Sequence, residues 1–205
     1  AASTIAAESG STLTLSGAVD HSGGGKAIEI GYAALGAGGT GTVVLSGGTA
    51  STVGTSWNLK SGTLVLNKTA GVNAVDGFFY IGNNDAEGAD TVVARLDASN
   101  QIPTIGVNVY ASGLLNINGM TETIGALTIE YGEVRVGNGG SLTISTLSMK
   151  AGEITTGTGT LTLGGNVTGV ADTNPSPSGA VISGNLALGS STRTFNIGDT
   201  SGVAD

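Results

Sequence analysis

The fold is decided by a short strand phrase, Gly159-Thr160-Leu161-Thr162-Leu163-Gly164. The same alternation of polar and apolar residues, bounded by small residues, recurs at residues 11–17, 41–47 and 62–67. Alternation with a period of two predicts a β-strand with one buried face. One short strand that recurs along a chain is typical of a β-solenoid, in which every coil packs on the next.

The spacing of the phrase is clearest in the second half of the chain. Three interleaved series of apolar strand starts each repeat after about 20 residues, a period typical of a solenoid coil. The series are Leu115, Val134 and Ile154; Leu127, Leu147 and Val167; and Leu142 and Leu161. This predicts an all-β fold, a parallel β-helix with three strands per coil, about 20 residues per coil and roughly ten coils. We expect residues 1–205 to form one such domain.

Alternation also assigns the two faces of each strand. Equivalent positions stack from coil to coil, so apolar rows form inside and rows of Thr, Ser and Asn form outside. Each well-buried apolar pair contributes about 3–5 kcal/mol. The predicted stacking core is Leu115, Ile117, Leu127, Ile129, Val134, Val136, Leu142, Ile144, Leu147, Leu161 and Leu163.

The composition excludes several classes of function. The chain has 37 Gly among 205 residues, 11% charged residues and 4% aromatic residues, which is unusual for a compact globule. Its net charge is −8 with only seven Lys and Arg, so nucleic acid is not an expected partner. The absence of Cys removes disulfides and thiolate chemistry. No apolar run is long enough for a transmembrane helix, and no cofactor motif is present.

Three longer phrases carry a family resemblance. They are Val92-Val93-Ala94-Arg95-Leu96 followed by Asn100-Gln101-Ile102-Pro103; Gly113-Leu114-Leu115-Asn116-Ile117-Asn118-Gly119 followed by Glu122-Thr123-Ile124-Gly125-Ala126-Leu127; and Ile182-Ser183-Gly184-Asn185-Leu186-Ala187-Leu188-Gly189 followed by Thr192-Arg193-Thr194-Phe195. They resemble the "L-x-x-x-x-Q-I-P", "L-x-L-N-G…E-T-I-G-x-L" and "I-S-G-x-L-x-L-G…T-R-T-F" phrases of the autotransporter-associated β-strand repeat. With the Gly-x-Leu-x-Leu strands, the resemblance covers most of the chain.

The resemblance implies a right-handed parallel β-helix in a bacterial protein that is extracellular or on the cell surface. Members of the family serve as passenger stems, adhesins and fibres, and the family offers no catalytic residues to carry over. The chain departs from the pattern at residues 33–39, which look inserted, and at Trp57, where a smaller residue is usual.

The two ends of the chain suggest how such a rod would act. Residues 1–7 read like the coil that would follow residues 198–205, and neither end shows a capping helix. An uncapped solenoid end exposes unpaired strand groups. We predict a structural filament subunit, stalk or adhesin segment whose partner is itself, as a head-to-tail homopolymer or as tandem repeats of a longer fibre. A fragment whose caps lie elsewhere is the alternative. The predicted end-to-end interface is Ile5, Leu13, Leu15, Phe195, Ile197 and Val203.

An enzyme is the weaker expectation. Polysaccharide-cleaving β-helices need clustered carboxylates, and the nearest approach to a cluster is Glu122, Glu130 and Glu133. Alternation and the corner at Tyr131 point these three side chains in different directions. His21, the single His, lies in a Gly-rich loop without a nucleophile motif. We therefore predict no catalytic residues.

Asp85, Glu87 and Asp90 form an acidic loop with oxygen ligands of the kind that Ca²⁺ prefers. Their spacing matches neither the EF-hand nor the Gly-Gly-x-Gly-x-Asp repeat. A hydrated loop is the preferred interpretation, so no metal site is predicted.

A cluster of aromatic residues leaves a second function open. Trp57 and the strand Phe78-Phe79-Tyr80-Ile81 supply rings that could stack on sugars. Alternation places two side chains of this strand inside and two outside. The alternative function is therefore a glycan-binding or polysaccharide-processing β-helix, with surface glycans as partner.

Overall fold

The computed structural model describes residues 2–21, 25–31, 39–84, 91–172 and 179–198. Within these ranges it contains β-strands and no helix, which confirms the predicted all-β class. The strands are β1 (Ser3–Ile5), β2 (Thr12–Leu15), β3 (Ile28–Ile30), β4 (Thr42–Gly47), β5 (Ser56–Leu59), β6 (Gly62–Lys68), β7 (Phe78–Ile81), β8 (Val92–Leu96), β9 (Val107–Tyr110), β10 (Gly113–Asn116), β11 (Thr121–Glu130), β12 (Glu133–Arg135), β13 (Ser141–Lys150), β14 (Glu153–Leu163), β15 (Val167–Gly169), β16 (Val181–Ala187) and β17 (Phe195–Ile197).

All the strands join one open, parallel sheet. The odd-numbered strands pair in order from β1 to β17, each with the next odd strand. The even-numbered strands pair in the same way from β2 to β16. A third series joins 121–124, 141–144, 160–163 and 185–187 through the long strands β11, β13, β14 and β16. This pairing is consistent with a β-solenoid.

The step between paired residues varies along the chain. Leu127 pairs with Val107 and with Leu147, so the chain returns after the same interval on both sides of this strand. Longer steps occur where the chain between the partners includes residues 32–38, 85–90 or 173–178. These segments lie outside the described residues, as does most of each excursion predicted at 33–39, 82–90 and 174–179. The stack is therefore kept in register while the chain length per step changes.

One continuous apolar core runs inside the stack. The strands show alternating burial; in β5 and β7, for example, every second residue is buried. Trp57 and Phe79 are in register with each other and are both 0% exposed. The two large rings therefore fill the core of the less regular first half.

Candidate functional site

The open edges of the sheet are its first candidate site. Among the described residues, β1 pairs only with β3 and β2 only with β4. At the other edge, β16 pairs with β14 and β17 with β15. Within the described ranges, each edge strand therefore has a strand partner on one side of its backbone only, which is the property that makes sheet edges prone to pair with further strands.

The edge formed by β16 and β17 is also apolar. Five of the eight exposed large hydrophobic side chains in the described part of the chain lie at this edge. Ile197 is 67% exposed, the highest value among them. The five are Val181, Leu186, Leu188, Phe195 and Ile197. Exposed apolar side chains on strands that, among the described residues, pair on one side only are suited to further strand stacking.

The predicted end-to-end residues occupy both edges. Leu13 on β2 is 36% exposed, while Ile5 and Leu15 are partly buried against the core. Phe195 and Ile197 lie on the outermost strand, β17. Val203 lies outside the described residues. The structure thus places five of the six residues at open edges.

The predicted stacking residues all lie in the core cluster, and none is more than 2% exposed. They are Leu115, Ile117, Leu127, Ile129, Val134, Val136, Leu142, Ile144, Leu147, Leu161 and Leu163. Many are in register with one another, as Leu115 is with Val134 and Leu127 with Leu147. The alternating polar positions Asn116 and Thr128 are partly exposed. Burial therefore follows the period of two in the sequence.

A buried polar ladder of Lys68, Gln101 and Glu122 crosses the interior, and the sequence pattern did not predict it. The three side chains are 1%, 0% and 1% exposed. The Lys68 Nζ donates to Gly17 O at 2.8 Å and to Ser46 O at 3.1 Å. Burial lowers the pKa of Lys68. These two hydrogen bonds link the Lys68 ammonium group to the end of β4 and to the chain just after β2.

The ladder continues through the amide of Gln101. Gln101 Oε1 accepts the Lys68 N–H at 2.7 Å, and Gln101 Nε2 donates to Ser99 O at 3.2 Å. Glu122 Oε2 accepts the Gln101 N–H at 2.7 Å. These buried polar groups are satisfied by the stacked backbone, as buried polar groups must be. The sequence contains one signal of this stacking: the interval between Gln101 and Glu122 is close to the length of one coil, so the two residues would be expected to lie in adjacent coils.

The three candidate carboxylates have separate surroundings. Glu122 is buried, Glu130 lies 3.9 Å from Lys150, and Glu133 is bound to Arg135. The structure therefore does not bring them together as a catalytic pair. His21 Nδ1 lies 3.0 Å from the backbone oxygen of Lys26.

Metal-ligating side chains are also dispersed. In the described ranges, no group of three His, Cys, Asp or Glu residues is arranged to hold a metal ion. The acidic loop of Asp85, Glu87 and Asp90 lies outside those ranges. The described part of the chain also contains no helix long and apolar enough to cross a membrane.

Aromatic side chains form a strip on the outside of the sheet. Phe78 is 58% exposed, and its ring stacks on Tyr80 with the centroids 6.3 Å apart. Tyr80 stacks on Tyr110 at 6.5 Å with the planes 12° apart. Trp57 and Phe79 are buried, so two of the rings considered for sugar stacking belong to the core. The available strip is Phe78, Tyr80 and Tyr110.

Comparison with known proteins gives no relative from which to transfer a role to these surfaces. No protein-family model, no curated protein and no solved structure matches the chain.

Proposed function

We propose that the chain is a structural β-solenoid segment, a right-handed parallel β-helix that acts by stacking coils end to end in an extracellular or cell-surface fibre. We assign three sides to the coils of residues 121–187, formed by an even-numbered strand, a third-series segment and an odd-numbered strand. The coil length is about 20 residues in the regular half, within the range of known solenoid repeats, and longer elsewhere. This proposal places the chain with the autotransporter-associated β-strand repeat that its phrases resemble.

The observation that carries the proposal is the apolar edge of β16 and β17, which pair on one side only among the residues that the structure describes. A side chain such as Ile197, 67% exposed, gains about 1.5–3 kcal/mol if a further coil covers it. The outer backbone groups of β16 and β17 would form ladder hydrogen bonds with that coil at the same time. We assign this edge to a second copy of the same coil stack.

The two edges fit each other in direction and in alternation. All ladders are parallel, so β1 of one copy continues the odd series beyond β17 of another without reversing the chain. Phe195 and Ile197 point to the side of the sheet that Val167 and Gly169 occupy, since they are in register. Ser3 and Ile5 are in register with the buried Ile28 and Ile30. Placing Phe195 opposite Ser3 sets a large side chain against a small one.

Electron microscopy and sedimentation of the whole chain test the proposal. We expect unbranched fibres in which one copy repeats about every 43 Å, because the described residues contribute nine strands to the odd series and stacked strands lie ~4.8 Å apart. Ile197→Glu should abolish the fibres, because a carboxylate would be buried in the junction. Phe78→Glu changes another exposed side chain, 58% exposed, on a strand that is paired on both sides, and should leave the fibres intact. Short rods that stay monomeric at high concentration would refute end-to-end stacking.

A second candidate function rests on the aromatic strip. The exposed ring of Phe78 and the stacked Tyr80 and Tyr110 offer a surface for a glycan, since aromatic rings pack against the apolar faces of sugars. Neutral oligosaccharides titrated into the isotopically labelled protein provide the test. Shifts confined to the strip and lost in Phe78→Ala would support this function, and unchanged spectra would exclude it.

A further inference from the structure

The regular backbone ladder is replaced where residues 99–103 meet residues 121–124. The Asn100 N–H donates to Thr121 O at 2.9 Å, as in a normal ladder. The next two N–H groups, those of Gln101 and Ile102, donate instead to Glu122 Oε2 at 2.7 and 3.3 Å. The following residue is a proline, which has no N–H. A side-chain carboxyl group thus holds these two coils together.

The Glu122 carboxyl group lies between a polar and an apolar layer. Its second oxygen accepts the Thr123 N–H at 3.0 Å. In the coil on the other side it is in register with Leu142, which is 0% exposed. All three hydrogen bonds come from backbone N–H groups, so the carboxyl group is held by peptide dipoles in a buried site.

The charged side chains nearest the junction bind groups other than the Glu122 carboxyl group. The packed segments 99–103 and 141–144 contain no titratable side chain. Lys68, the cation of the buried ladder, directs its ammonium group to two backbone carbonyls. Asp97, on the chain leading into the junction, is paired with Arg95 at 2.8 Å.

We propose that this junction is a proton-dependent joint in the sheet, tight while Glu122 holds its proton and looser once the proton is lost. The cause is the cost of burying a carboxylate beside Leu142, which opposes the three N–H hydrogen bonds that favour the charged form. The joint would let acidity tune the cohesion of the stack at one defined coil boundary.

The direction of the pH dependence follows from linkage. Burial raises the pKa of Glu122 from 4.5 to about 7, although the backbone hydrogen bonds act in the opposite direction. The folded joint therefore binds the proton more tightly than the opened one. Its extra stability is fully present below pH 4.5 and is lost as the pH rises through 7. Acting in full, this shift raises the opening constant about 300-fold.

Two measurements on the unmodified chain test the joint. Carbon-13 titration should place the midpoint of the Glu122 carboxyl group near pH 7. Hydrogen-exchange protection of the Gln101 and Ile102 N–H groups, corrected for intrinsic exchange, should fall by up to about 70-fold between pH 5 and pH 8. The N–H of Met149, in the regular ladder between β11 and β13, serves as the internal reference.

A pair of variants separates the joint from a general pH effect. Glu122→Gln should make protection at Ile102 independent of pH. Glu130→Gln changes a half-exposed carboxylate on the same strand and should keep the wild-type pH profile. A wild-type midpoint near 4.5, or wild-type protection that does not change with pH, overturns the proposal. Both of these results are obtained on the wild-type protein, so the proposal can still be tested if Glu122→Gln does not fold.

Discussion

At the scale of single residues, Trp57 shows how the core accommodates a side chain larger than the aliphatic residues that form most of it. Trp57 is 0% exposed, and its Nε1 donates to Asp76 Oδ1 at 3.0 Å. The same carboxylate accepts the N–H groups of Val53 at 2.9 Å and Gly54 at 2.7 Å. Asp76 therefore ties the indole and the corner at Val53 and Gly54 to the next coil.

We expect Asp76→Ala to lower the free energy of unfolding by about 2–5 kcal/mol, because three donors would lose their acceptor and one of them is a buried indole. Urea denaturation followed by Trp57 fluorescence measures the change. Asp20→Ala is the matched control, since Asp20 accepts one hydrogen bond from Thr52 at an exposed site. Its effect should stay below about 1 kcal/mol. Equal losses in the two variants would contradict the assigned role.

The buried polar ladder marks the limit of sequence reasoning at this scale. Lys68, Gln101 and Glu122 belong to residue types that usually lie on the surface. Their burial depends on which coil stacks on which, and this depends on steps whose length varies along the chain. The apolar core could be predicted because it needs only the local period of two.

At the scale of the strands, glycine sets how closely the corners of successive coils approach. A Cβ added to Gly132, between β11 and β12, would lie 2.5 Å from Tyr110 O and 2.7 Å from Val109 Cγ1. Gly152 occupies the equivalent corner one coil later, with a φ of 82°. The high glycine content therefore has a local cause, since the chain turns sharply over the carbonyl groups of the coil beneath.

Gly132→Ala should destabilise the fold by about 1–3 kcal/mol, because the new methyl group forces the two coils apart. Gly48→Ala provides the control, since its Cβ would meet only Thr69 Oγ1 at 3.7 Å. Urea midpoints of the two variants and the wild type measure the difference. If both alanines have the same effect, the close approach of the two coils at Gly132 does not determine the cost.

Strand order was also readable from the sequence where the repeat is strict. The pairing of Leu127 with Leu147 follows directly from the regular interval between strand starts. Pairings such as Ile28 with Trp57 do not follow, because the chain between them carries additional residues that the interval does not count. Apolar alternation fixes which face is buried but not how long the chain takes to return.

At the scale of the whole molecule, the stack behaves as a one-dimensional array. Each strand series pairs with its neighbours in the stack, and stability is then close to a sum of coil and interface terms. Because the edge strands β1, β2, β16 and β17 have a partner on one side only among the described residues, they lack half of the interface contribution. The same deficit that makes the edges suited to stacking should make them the least stable part of a single copy.

Hydrogen exchange followed by mass spectrometry should resolve this gradient. In dilute protein we expect the strongest protection in β11–β14, where the strands are paired on both sides, and the weakest in the edge strands β1, β2, β16 and β17. Raising the protein concentration should increase protection at the edge strands and leave the centre unchanged, because stacking supplies the missing neighbour. Ile197→Glu should remove the concentration dependence while keeping the central pattern. Uniform protection across all strands in the monomer would show that the sheet opens as one unit. The edge strands would then be no less stable than the centre, and a second copy would have no missing interface to supply.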